Sequence, residues 1–139
     1  NSEHTFGDFE ILNIVRYNEE DIQQHISINL AKKKKGENII DYVKRESRGG
    51  GQMDAKLRLE KNTVYVLDNI GYNYAEMGNY IWGATIAKLN IDLISMNLGA
   101  QIYAFEKTGW FDQPWEVKAF NRAYFKYSKN FLPLTKIVR

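Results

Sequence analysis

Two short stretches hold the residues of this chain whose types and spacing suit chemistry. "GGGQMDAK" places Asp54 and Lys56 directly behind three glycines, and "YAEMGNYIWGATIAKLN" sets Glu76 and Asn79 among aromatics and small residues. Two carboxylates, a lysine and an amide make a compact polar set with two uses. For RNA cleavage, Glu76 or Asp54 is the base that takes the 2′-hydroxyl proton, Lys56 holds the phosphorane charge, and Asn79 donates a hydrogen bond. For glycoside hydrolysis, Asp54 and Glu76 act as acid and base or nucleophile, about 5–10 Å apart across a groove.

Those residues must be carried by definite elements. A helix over about Tyr74 to Leu89 puts Glu76, Asn79, Tyr80, Gly83 and Ala87 on one face at roughly 100° per residue. Gly78 and Gly83 each cost a helix about 1 kcal/mol relative to alanine, so something must approach closely enough to require them. The plainer alternative is that the small residues admit a crossing helix while Glu76 caps or pairs locally. Ahead of it, the alternation Ala55, Leu57, Leu59 against Lys56, Arg58, Glu60 predicts a strand that turns at Lys61-Asn62 into a hairpin. Packed on the helix, that hairpin brings Asp54 and Lys56 to Glu76 and Asn79.

The rest of the chain reads mainly as helix. Asn18 caps a helix over about Glu19 to Lys34, with acids in its first turn, Lys32 to Lys35 in its last and Gly36 as its stop. Asn38 caps a shorter helix with Ile39, Tyr42 and Val43 inward. Asn90 to about Lys107 carries Ile91, Ile94, Leu98, Ile102 and Phe105 at helical steps and reads as the central core helix. Asp112 and Pro114 open the last helix, with Phe120, Ala123, Tyr124 and Tyr127 inside and a basic stripe of Lys118, Arg122, Lys126 and Lys129 outside. The apolar C-terminus reads as an extended piece. The fold class is therefore mainly α within α+β, about five helices and a short β-hairpin around one core, in one domain over 1–139.

Composition bounds the alternatives. The chain of 139 residues is 44% hydrophobic and 26% charged, ordinary for a globular domain, with no apolar run near the length of a membrane span and no signal-peptide layout at its start. The expectation is a soluble unit. It has no cysteine, which removes disulfides, thiolate metal sites and a thiol nucleophile. A formal charge of +2 suits an anionic partner without requiring one.

The glycine-acid-lysine element followed by Tyr-x-Glu-x-Gly-Asn and Gly-Ala resembles the bacterial polymorphic toxin type 44 family. The matching positions are Gly50, Gly51, Asp54, Lys56, Tyr74, Glu76, Gly78, Asn79, Gly83 and Ala84, and "LGAQIYAFEKTGW" adds Gly99 and Gln101. The likeness spans about residues 49 to 127. Met77, Trp82 and Ala55 stand where the family carries Phe, Tyr and an aromatic. The resemblance implies a largely helical toxin module, the C-terminal part of a larger secreted protein, delivered into a competing bacterium, accompanied by an immunity protein and acting as an RNase.

On that reading RNA is the substrate. Tyr74 and Gln101 belong to the site, Tyr80 or Trp82 stacks a base, and Lys118, Arg122 and Lys126 follow the phosphate backbone. The enzyme acts in the target cytoplasm. Histidine is the gap, because His4 and His25 both lie outside the motif and His25 reads as a surface or boundary residue. A toxin that cuts peptidoglycan glycan in the periplasm needs only the two carboxylates and is the second reading; a non-enzymatic binding module is the third. No cofactor is expected, and no ligand set for a metal is legible.

Overall fold

A computed structural model of the chain describes residues 5–6, 9–91 and 114–128. The element order is β1 (Thr5–Phe6), β2 (Phe9–Glu10), β3 (Asn13–Arg16), α1 (Glu19–Asn29), α2 (Ile39–Glu46), a 3-10 turn (Ala55–Arg58), β4 (Thr63–Leu67), β5 (Ile70–Tyr72), α3 (Tyr74–Lys88) and, after residues outside the description, α4 (Pro114–Tyr127). The architecture is α+β. Four α-helices stand among the described residues; the expected helix over 90–107 and the C-terminal extended piece lie outside them.

Helix α3 is the centre of the described fold. Every residue from Met77 to Ala87 is buried, the polar Asn79 and Thr85 included, so the helix shows no amphipathic stripe. On one side it meets Ile22 and Ile26 of α1, Ala55, Leu59, and Tyr65, Leu67 and Tyr72 of the hairpin. On the other, Trp82, Ile86 and Ala87 pack with Tyr42, Met53, Phe120 and Tyr124. The expected central helix over 90–107 lies outside the described residues; among those described, α3 is the helix that both parts of the core enclose.

Both α3 glycines are explained by close approach. A Cβ on Gly83 would collide with the backbone carbonyl oxygen of Phe120, and one on Gly78 would collide with Cγ of Lys56. Gly83 is where α4 crosses; Gly78 is where the 3-10 turn rests.

The three-stranded sheet has the order β3-β4-β5, with β3 parallel to β4 and β4 antiparallel to β5. The hairpin lies later in the chain than the sequence alternation indicates. Its turn is Asp68-Asn69, both with positive φ (54° and 65°), the backbone of a tight type I′ connection that Asp and Asn tolerate. The stretch expected as its first strand is the 3-10 turn instead. Ala55 and Leu59 are buried but Leu57 is 67% exposed, so the period of two does not hold. Helix α1 also stops short of Lys34. Asn29, its last residue, is fully buried, accepts from Arg58 Nη2 at 2.6 Å and donates to Thr85 Oγ1 at 3.0 Å, and the lysines fall in the turns beyond.

The two glycines differ in what they touch, and this separates their substitutions. Gly83→Ala meets rigid backbone and is expected to lower stability by about 2 kcal/mol. Gly78→Ala meets a lysine side chain that can move and gains about 1 kcal/mol in helix propensity, so it costs less. Urea melts of both variants check the order.

Candidate active site at the start of α3

Strand β5 ends at Tyr72, and Asn73 caps α3 at once. The Asn73 side chain accepts from the Glu76 N–H at 2.7 Å, and Glu76 Oε1 accepts from the Asn73 N–H at 2.8 Å, a reciprocal capping box. The box fixes the Glu76 carboxylate over the first turn, half-buried. Tyr72 is buried beside it, its ring 5.3 Å from that of Tyr80.

Arg122 reaches this corner from the exposed side of α4. Its Nη1–H donates to Tyr72 Oη at 3.1 Å, and its guanidinium carbon lies 5.8 Å from the Tyr72 ring centroid. Burial pushes the Glu76 carboxyl above the usual carboxylate range, opposed by the Asn73 N–H and the Arg122 charge. Burial likewise raises the Tyr72 phenol, opposed by its hydrogen bond from Arg122. Phenol and guanidinium are thus joined at the start of α3, and the Arg122 charge acts on the carboxylate that the capping box holds there.

The other expected catalytic residues have engagements of their own. Asp54 is 6% exposed, and its Oδ2 accepts from the Gly50 N–H at 3.0 Å, holding the glycine loop closed. Gly50 has φ +85°, the conformation this loop requires. Asp54 Oδ1 is buried without a hydrogen-bond partner among the described residues, in the field of Arg58. Lys56 lies along Gly78, roughly 200° around α3 from Glu76. Asn79 is 1% exposed, inside the core. Asp54 and Glu76 share no hydrogen-bond partner among the described residues: Asp54 accepts from Gly50 and Glu76 from Asn73.

The expected substrate contacts divide similarly. Tyr80 and Trp82 are buried, and the Trp82 indole donates to Ser47 Oγ at 2.7 Å and packs on Phe120, so neither ring offers a face to a base. Tyr74 is partly buried against the core. Lys118, Arg122 and Lys126 are all exposed on α4. Lys126, however, donates to Asp68 at 2.8 Å and lies 3.5 Å from Glu19, and these carboxylates largely neutralise it. Tyr127 donates to the same Glu19 at 2.7 Å, and burial with that bond raises its pKa. Gln101, Gly99, Lys129 and His4 lie outside the described residues.

The structure adds groups that the sequence did not single out. Besides Tyr72, these are Tyr17, Arg58 and the engaged His25. Arg58 Nη2 and Nε point at His25 Nδ1 from 3.2 and 3.4 Å, so Nδ1 accepts and the proton sits on Nε2, which donates to Tyr17 Oη at 2.9 Å. Arg58 also donates to Asn29 Oδ1 and to the Gln52 carbonyl, tying α1 to the glycine loop. Burial, then the Arg58 charge, hold His25 down at about 4, against the pull of Asp21. Burial pushes Tyr17 up to about 12. The only sequence signal was a histidine at the edge of the α1 apolar stripe.

Among the described residues no three metal-ligating side chains come together, and no helix is long and apolar enough to cross a membrane. Compared with protein-family models, with curated proteins and with solved structures, the chain matches none. The reading of the site therefore rests on its own geometry and on the motif likeness.

His25 makes the fold sensitive to acid. A histidine whose folded pKa lies below its ordinary 6.5 binds protons better when unfolded, so its contribution is whole above 6.5 and is lost as pH falls through about 4. The wild type is expected to lose stability relative to His25→Gln across that window, and paired thermal melts from pH 7 to 4 measure the difference.

Proposed function

We propose that this chain is a phosphodiester-cleaving hydrolase domain of the polymorphic-toxin kind, acting on RNA. One observation carries the reading: Arg122 is hydrogen-bonded to Tyr72 Oη at the capped start of α3, and its charge acts on a Glu76 carboxyl that burial raises. A base with a raised pKa accepts a proton more readily at the moment of reaction. Glu76 takes the 2′-hydroxyl proton as the 2′-oxygen attacks phosphorus and the 5′-oxygen departs. Arg122 holds the non-bridging oxygens, whose charge grows in the transition state. Lys118, exposed one turn earlier on α4, extends the contact along the backbone.

The motif likeness supplies the biological setting. The domain is delivered as part of a larger secreted protein, works in the cytoplasm of a target bacterium and is held in check by a cognate immunity protein.

Glu76→Gln is the informative variant, because glutamine keeps the capping box while removing the base. Purified Glu76→Gln is expected to cleave RNA about 100-fold more slowly or worse, with unchanged circular dichroism and melting. Undiminished cleavage by this variant defeats the assignment of Glu76. Expression of the wild type decides between targets: growth arrest with degraded RNA in the cytoplasm supports the nuclease, and lysis only on export to the periplasm overturns it in favour of cell-wall attack.

A further inference from the structure

We infer that Tyr72 is a positioning residue whose hydroxyl fixes the Arg122 guanidinium beside Glu76, turning a mobile surface arginine into a preorganised fork for one phosphate group. The phosphate as ligand rests on the nuclease reading above; the geometry does not.

Arg122 occupies an exposed position, where an arginine side chain ordinarily samples many rotamers and loses up to about 2 kcal/mol of entropy when ordered. Here the ordering is provided by the fold. Tyr72 is 2% exposed and is wedged against Tyr80, so its hydroxyl has a fixed place. That hydroxyl accepts from Nη1 at 3.1 Å, and the ring lies within cation–π range of the same guanidinium. A guanidinium has five N–H donors, and this bond uses one. The remaining donors are held in a set orientation near a carboxylate that the capping box also holds still. Tyr72 does not touch the substrate in this arrangement; it removes the cost of ordering the group that does.

Lys118 provides the internal contrast. Exposed on the same helix, it has no hydrogen bond or ion pair among the described residues, so it attracts phosphate as a mobile charge while Arg122 reads its position.

The decisive variant is Tyr72→Phe, which keeps the ring and deletes the acceptor. Two readouts separate this inference from the nuclease assignment. The first is the carbon-13 titration of the Glu76 carboxyl, which needs no activity: loosening Arg122 is expected to raise its midpoint by about half a pH unit. The second is cleavage of a fluorescent RNA oligonucleotide, where kcat and kcat/KM are expected to fall together about 5- to 10-fold with KM within about twofold, because Arg122 acts on charge that grows in the transition state. An unshifted Glu76 midpoint in Tyr72→Phe overturns the positioning role even if RNA is cleaved. A shifted midpoint in a protein that never cleaves RNA leaves the positioning intact and removes the nuclease. Should Tyr72→Phe fail to fold, nitrogen-15 relaxation of wild-type arginine side chains decides. Arg122 Nε–H must be as rigid as the backbone, and mobility equal to that of the exposed Arg48 overturns the proposal.

Discussion

Helix α4 can lie on α3 only because residue 83 has no side chain. The Phe120 carbonyl occupies the space where a Cβ would stand, and the two helices approach as closely as backbone allows. Much else follows from that approach. Phe120 and Tyr124 close the core over Trp82 and Ile86, and Tyr124 reaches across to donate to the Ile91 carbonyl at 2.8 Å. Two residues beyond Phe120, Arg122 is carried to the start of α3. The glycine that weakens α3 as an isolated helix is thus the residue that lets α4 bring Arg122 to Tyr72.

A second constraint acts at the other end of the same helix. The Asn73–Glu76 box joins the hairpin to α3 without a linker, so the position of Tyr72 in the sheet and that of Glu76 on the helix are set together. The carboxylate does two things at once. One oxygen satisfies a backbone N–H that would otherwise be orphaned, and the group as a whole remains close enough to Arg122 to feel its charge.

The elements read most clearly from the sequence are those with local chemistry. Asn18 and Asn38 cap their helices as their side chains indicate, and Phe120, Ala123 and Tyr124 form the inner stripe of α4. The need for close neighbours at Gly78 and Gly83 was also legible; which neighbours came was not. Strand β3 carries no alternating signal, because all four of its residues are exposed and its partner lies far along the chain. Alternation at 55–59 suggested a strand because a 3-10 turn that buries Ala55 and Leu59 shares two of the same apolar positions. At the site, Glu76 was found by its odd surroundings, but its partners Tyr72 and Arg122 come from elements that only the tertiary fold brings together. Asp54 and Lys56 sit in a 3-10 turn where the spacing predicts a strand; Asp54 holds the glycine loop and Lys56 rests on α3 at Gly78.

The parallel pairing of β3 with β4 carries a kinetic consequence. Asn13 lies opposite Thr63, so α1, α2 and the 3-10 turn all belong to the loop that this pairing closes. The hairpin and the first turn of α3 need only neighbours in sequence, whereas β3 must wait until that long loop has been gathered, against its closure entropy. With its four exposed residues contributing little buried surface, β3 is the piece of sheet that docks last during folding and lets go first.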